Sequence, residues 1–189
     1  MTQPLSHHGT PASVARRGFT LVELMMTLVV LSILVALAVP AYRSFLQNDQ
    51  QWVLQSELVL ALNAARSEAI KQDSALGVQV CASVSGTACD GANWAQGWIV
   101  LNPSAPANLQ VSQSVGAVPV NTTLTEANNN LSVTFQSNGS VNTQVAFKLC
   151  DARGAAQARY LQVNAMGRVV ASQNVGYDLS TPPVALTCP

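Results

Sequence analysis

The chain of 189 residues carries nine basic and nine acidic side chains, a formal net charge of zero, which excludes a strongly basic surface over the protein as a whole. Both histidines, His7 and His8, fall within the first eight residues. Nothing after them can build a histidine triad, a histidine general base or a histidine zinc site.

The first element in chain order is an apolar stretch from Phe19 to Val39, preceded by Arg16-Arg17-Gly18. Its 21 residues hold one charge, Glu23. As a helix the stretch spans about 31 Å, the thickness of a bilayer hydrocarbon core. Arg16 and Arg17 favour a cytoplasmic N-terminal side, which places the rest of the chain across the membrane. An ordinary secretory signal, with Ala36-Leu37-Ala38 as a small-x-small cleavage site, is one competing reading, and a plain single-pass anchor is another. Neither explains Glu23. A carboxylate in a membrane helix costs roughly 2.5–3.5 kcal/mol at the helix centre, so an acid there needs a partner.

The run Arg16-Arg17-Gly18-Phe19-Thr20-Leu21-Val22-Glu23-Leu24-Met25 resembles the type IV prepilin signature: a basic leader, a glycine, a phenylalanine, then glutamate five residues after the glycine. The resemblance implies that residues 1–18 are a leader, that prepilin peptidase cuts between Gly18 and Phe19, and that the new amine is methylated. It also implies a role for Glu23 in assembly, facing the N-terminal ammonium of a neighbouring subunit. A buried carboxylate is tolerable when paired in this way.

Pro40 closes the apolar run and is expected to kink or loosen the helix, as in the pilin pattern. From Ala41 to about Ser74 there is no glycine or proline. Leu54, Leu58, Leu62, Ala65 and Ala69 recur at three- and four-residue steps and define one apolar face. Glu57, Arg66, Glu68 and Lys71 are expected to stay solvated, with Glu68 and Lys71 in a helix-supporting order. Gly77 reads as a stop signal. Four segments result: a leader over 1–18, a membrane or filament-core helix over 19–40, an amphipathic helix over 41–75 and a β-rich head over 76–189.

In the head, alternating runs at Val78–Val80, Trp98–Leu101, Leu131–Phe135, Val145–Leu149, Tyr160–Val163 and Val169–Val170 predict antiparallel strands with one buried face. Asn138-Gly139 is a hairpin candidate between two of them, and Gly167 turns the chain before Val169. The stretch from Asn102 to Asn130 is poorly patterned and reads as loops. Trp94 and Trp98 are expected as core and edge residues of the first hairpin rather than a binding surface. The expected fold class is α+β: a long N-terminal helix packed on an antiparallel sheet.

Cys81, Cys89, Cys150 and Cys188 allow three pairings, between which sequence cannot choose. Cys81–Cys89 with Cys150–Cys188 is the economical one, and disulfides place the head outside the cytoplasm. No C-x-x-C spacing supports a metal site. Removing the leader leaves seven basic and nine acidic residues. Lys148, Arg153, Arg159 and Arg168 nevertheless stand against Asp151 alone between positions 148 and 168. They are candidate phosphate contacts for weak, salt-sensitive DNA binding, or dispersed charges that deter edge pairing.

No phosphate-binding glycine loop or nucleophile elbow is present, and the acids are scattered. No catalytic residue, metal or cofactor is expected. The segment Ala64-Ala65-Arg66-Ser67-Glu68-Ala69-Ile70-Lys71, then Val80-Cys81, Trp94-x-x-Gly97-Trp98-Ile99-Val100 and Gly167-Arg168, resembles the GspH/FimT group of minor pilins and pseudopilins. This implies a low-abundance filament subunit in the inner membrane with a periplasmic head. Its implied partners are prepilin peptidase, other major and minor pilins and the inner-membrane assembly platform. DNA-binding members carry a Gly-Arg-x-Arg element; Gly167-Arg168-Val169-Val170 lacks the second arginine. Three roles follow: a pilus-priming subunit, a DNA receptor and a type II secretion pseudopilin.

Overall fold

The computed structural model describes residues 18–72, 76–106 and 111–188. The basic leader up to Arg17, and the residues between Gln72 and Leu76, lie outside the described residues. The chain divides into two compact units, Met1–Ser44 and Phe45–Pro189.

A single helix, α1 (Leu21–Gln72), contributes to both. Thr20 starts it: its hydroxyl accepts the Glu23 N–H at 3.2 Å, and its carbonyl accepts the Leu24 N–H at 3.1 Å. This is the N-cap geometry, worth about 1 kcal/mol. The helix runs on through Pro40.

Eight strands follow: β1 (Val78–Ala82), β2 (Trp98–Leu101), β3 (Val111–Val115), β4 (Thr122–Glu126), β5 (Ser132–Phe135), β6 (Val145–Asp151), β7 (Arg159–Val163) and β8 (Val169–Ala171). They form two antiparallel sheets, ordered β3-β2-β1-β5 and β4-β6-β7-β8, which with α1 make the expected α+β fold. The inner faces of both sheets close on one side of α1. Leu58, Leu62, Ala65 and Ala69 share a core with Val78, Val80, Val133 and Phe135 of the first sheet and Phe147, Leu149, Leu161 and Val163 of the second. A smaller cluster of Cys150, Ala158 and Leu186, with Tyr160 and Cys188 against it, packs the C-terminal tail on the second sheet.

Several expectations are corrected. The region between Asn102 and Asn130 holds β3 and β4, not loops alone. On β4 the inward positions are Leu124 and Glu126, so a buried acid occupies a place where an apolar residue would have completed the alternation. Glu126 is tolerated because its carboxylate accepts the N–H groups of Asn128, Asn130 and Ala146. Asn138-Gly139 turns the chain, with Gly139 N–H bonded to the Gln136 carbonyl and Phe135 bridging Val141 antiparallel across the turn, but β6 does not continue that pairing. β5 belongs to one sheet and β6 to the other. Trp98 is fully buried on an interior strand, not at an edge. Trp94 is buried too; its indole donates to the Asn130 carbonyl at 2.7 Å and meets Phe147 edge-on at 4.8 Å. Glu68 accepts from Gln72 rather than pairing with Lys71.

Arg66 departs furthest from expectation. It is half-buried, with Nε donating to the Gly139 carbonyl at 3.1 Å and Nη2 to the Met166 carbonyl at 3.2 Å. One helical side chain therefore ties together the turn after β5 and the turn before β8. Those turns touch: a Cβ on Gly167 would lie 2.0 Å from the Gly139 oxygen, and both glycines hold positive φ, 70° and 77°. Only glycine fits there.

Candidate functional site

The N-terminal part of α1 has no buried side chain before Gln51. From Leu21 onward it is long and apolar enough to cross a membrane. Within that stretch the hydroxyls cost little, because each is satisfied inside the helix. Thr27 donates to the Leu24 carbonyl at 2.8 Å and Ser32 to the Val29 carbonyl at 2.7 Å. Hydroxyls that back-bond in this way need no water.

Glu23 differs. It stands at the third helical position, in the first turn, where the helix dipole favours a negative charge by about 0.3–1 kcal/mol. The insertion cost of a carboxylate is several times larger. The cap and dipole therefore offset only part of it, and among the described residues no cation meets the carboxylate. Thr20, the residue that fixes the geometry of this turn, escaped the sequence reading. Its signal was present as the Thr-x-x-Glu spacing of a capping box.

Gly18 and Phe19 precede the helix and are exposed. A Cβ on Gly18 would meet nothing within 4 Å. Among the described residues no packing requires a glycine there. At Pro40, the Ser44 hydroxyl donates to the proline carbonyl at 3.2 Å.

The cysteines pair as Cys81–Cys89 and Cys150–Cys188, with Cα separations of 5.5 and 6.0 Å. The first closes a loop that Asp90 also organises. Its Oδ1 accepts the N–H groups of Val84 and Ser85 and the Ser83 hydroxyl. These bonds, the Val84 one foremost, lower its pKa from 3.8 to about 2.

The four candidate phosphate contacts do not form one patch, although Arg153 and Arg159 both reach α1. Lys148 lies on the face of β6 opposite the core residues Phe147 and Leu149, and donates to the Thr187 carbonyl at 3.1 Å. Arg153 is paired with Asp151 at 2.6 Å and reaches Asn48 of α1 at 2.7 Å. Arg159 points the other way from Lys148, toward α1, and donates to Gln55 at 3.2 Å. Burial, and then the charge of Arg153, lowers its pKa. Arg168 is exposed in the turn at the far end of β7. A sequence window over 148–168 merges residues that the sheet separates by face and by length.

The family model described as type II transport protein GspH matches residues 55–167. The prokaryotic N-terminal methylation motif matches residues 14–39. A type IV major alpha-pilin of Moraxella bovis is 38% identical over 50 residues, which is 26% of this chain and 31% of that protein. The match thus spans about a third of the pilin's length. A crystal structure of the type IV minor pilin FimU of Pseudomonas aeruginosa superposes with a TM-score of 0.53 at 22% identity, covering 69% of this chain and 98% of that one. That likeness shows the fold: a long helix packed on antiparallel sheets.

Proposed function

Since the chain belongs to the GspH family, we propose that it is a minor pilin, cut between Gly18 and Phe19 by prepilin peptidase and methylated at the new amine. It is then built into a type IV pilus, where it primes assembly or links tip subunits. Its head lies on the periplasmic side of the inner membrane, where both disulfides persist. Its partners are prepilin peptidase, other major and minor pilins and the assembly platform. The role is structural rather than catalytic.

The observation that carries this reading is the capped first turn: one carboxylate, unmatched within the described chain, at a fixed place in an otherwise self-satisfied apolar helix. The amine released at Phe19 of a neighbouring subunit supplies the missing charge, four residues before Glu23 in sequence. Two measurements test it. The mass of the membrane-extracted product should correspond to a chain that begins with methylated Phe19; a start elsewhere removes the amine and the proposal with it. Glu23→Ala should insert in the membrane normally yet vanish from the sheared filament fraction. Undiminished incorporation would refute the role of Glu23.

A secretion pseudopilin is the second reading, favoured by the matched family's description as a type II transport protein. Deletion separates the two: loss of twitching indicates the pilus, and exoproteins retained in the periplasm indicate secretion. DNA binding finds no support in the placement of Lys148, Arg153, Arg159 and Arg168. A gel shift by the full chain that weakens with salt and with Arg168→Ala would restore it.

A further inference from the structure

A cleft of about 650 Å³ runs between the outer face of α1 and the end of β8. One wall is helical and mainly apolar: Trp52 and Leu60, 61% and 63% exposed, with Gln55, Ser56 and Val59 between them. The other wall is the last strand of its sheet; among the described residues nothing pairs with the outer edge of β8.

The hydrogen bonds of that strand show what the edge offers. Ser172 N–H bonds to the Tyr160 carbonyl and the Arg168 carbonyl accepts from Asn164 N–H, so residues 168 and 172 turn their backbone groups to β7. Alternation along an antiparallel strand then turns those of Val169 and Ala171 outward. Ala171 and Gln173 also line the cleft. Unpaired backbone donors and acceptors therefore stand beside a mainly apolar helical wall, the arrangement that takes an added strand.

Charge narrows the occupant. Arg159 lies in the cleft, and no acid lines it. Its Nη1 is used by Gln55, but its buried Nε has no partner among the described residues. Arg159 is half-buried, and a half-buried cation whose one side-chain partner is a neutral amide favours a carboxylate.

We propose that this cleft takes an extended segment of a partner polypeptide as an added strand antiparallel or parallel to β8, with apolar side chains against Trp52 and Leu60 and a carboxylate directed to Arg159. The site is independent of Glu23 and of the filament reading.

The probe is a blocked heptapeptide of alternating threonine and valine with a central glutamate, titrated into the full-length protein in detergent micelles. A glutamine analogue serves as control. Binding should saturate, slow hydrogen exchange at Val169 and Ala171, and be about tenfold weaker for the analogue. Ala171→Pro should abolish it, because that N–H faces outward and its loss leaves the β7 pairing intact. Should that variant misfold, Arg159→Gln should erase the preference for glutamate while Arg159→Lys retains it. No saturation by about 1 mM overturns the proposal. Protection confined to Trp52–Leu60 overturns it in favour of a helical occupant. Protection of β8 that rises with protein concentration in the absence of peptide overturns it in favour of a second copy.

Discussion

The two halves of α1 differ in where their side chains find partners. Before Gln51 no side chain is buried, and Thr27 and Ser32 bond only to carbonyls one turn away. From Gln51 to Ala69 one face is closed under two sheets, and Arg66 reaches carbonyls 73 and 100 residues distant. The first half is complete in its local bonding but leaves its apolar surface for lipid or for neighbouring helices. The second half buries one face against the head and depends on it, while Trp52 and Leu60 on its other side stay exposed. Substitutions in the two halves should therefore fail in different ways: the first in assembly, the second in folding.

The largest effect on folding is expected from the tail. Cys150 and Cys188 are 38 residues apart, and a loop of that length contributes about 4 kcal/mol on the chain-entropy account. The double substitution to serine should lower head stability by that order and leave membrane insertion unchanged, as read by urea unfolding in micelles with Trp94 and Trp98 fluorescence.

Leu58→Ala comes next. The side chain is fully buried, so a loss of about 2–5 kcal/mol is expected. Leu31→Ala, in the exposed half, should leave the same unfolding curve in place. Equal losses from the two would erase the distinction between the halves. Arg66→Met keeps most of the aliphatic stem but abandons two carbonyls, and about 1–2 kcal/mol should go. Hydrogen exchange should quicken at the Gly139 and Gly167 turns together, since one side chain holds both.

The smallest effect is acid-dependent. The folded-state pKa of Asp90 is depressed to about 2 from 3.8. Its contribution is full above about pH 4 and is lost as pH falls toward 2. Asp178 is shifted in the same direction, chiefly by the Ser180 hydroxyl. Asp90→Asn should flatten the acid side of the melting profile slightly.

Local patterns carried most of the fold. Leu54, Leu58 and Leu62 name their own face by spacing, and six strands were legible from alternation. β4 was not, because Glu126 occupies an inward position and is satisfied by two backbone N–H groups of the following loop and one of β6, which only the fold brings together. The division into two sheets was hidden for a related reason. Asn138-Gly139 specifies a turn but not the partner of the strand that follows it. At the candidate site, Glu23 stood out because its chemistry conflicts with its surroundings, which sequence displays directly. The role of Arg66 did not, since an arginine on a helix looks solvated until the two glycine turns are brought beneath it. The β8 cleft was equally invisible, being made of residues more than 100 positions apart.

The bonds of Arg66 also bear on how the head carries load. A pull along α1 reaches both sheets at once, one through the Gly139 carbonyl and the other through the Met166 carbonyl. Neither sheet can be peeled away strand by strand from that end while the bonds hold. Drawing the helix away from either sheet therefore breaks an Arg66 bond as well as the leucine packing.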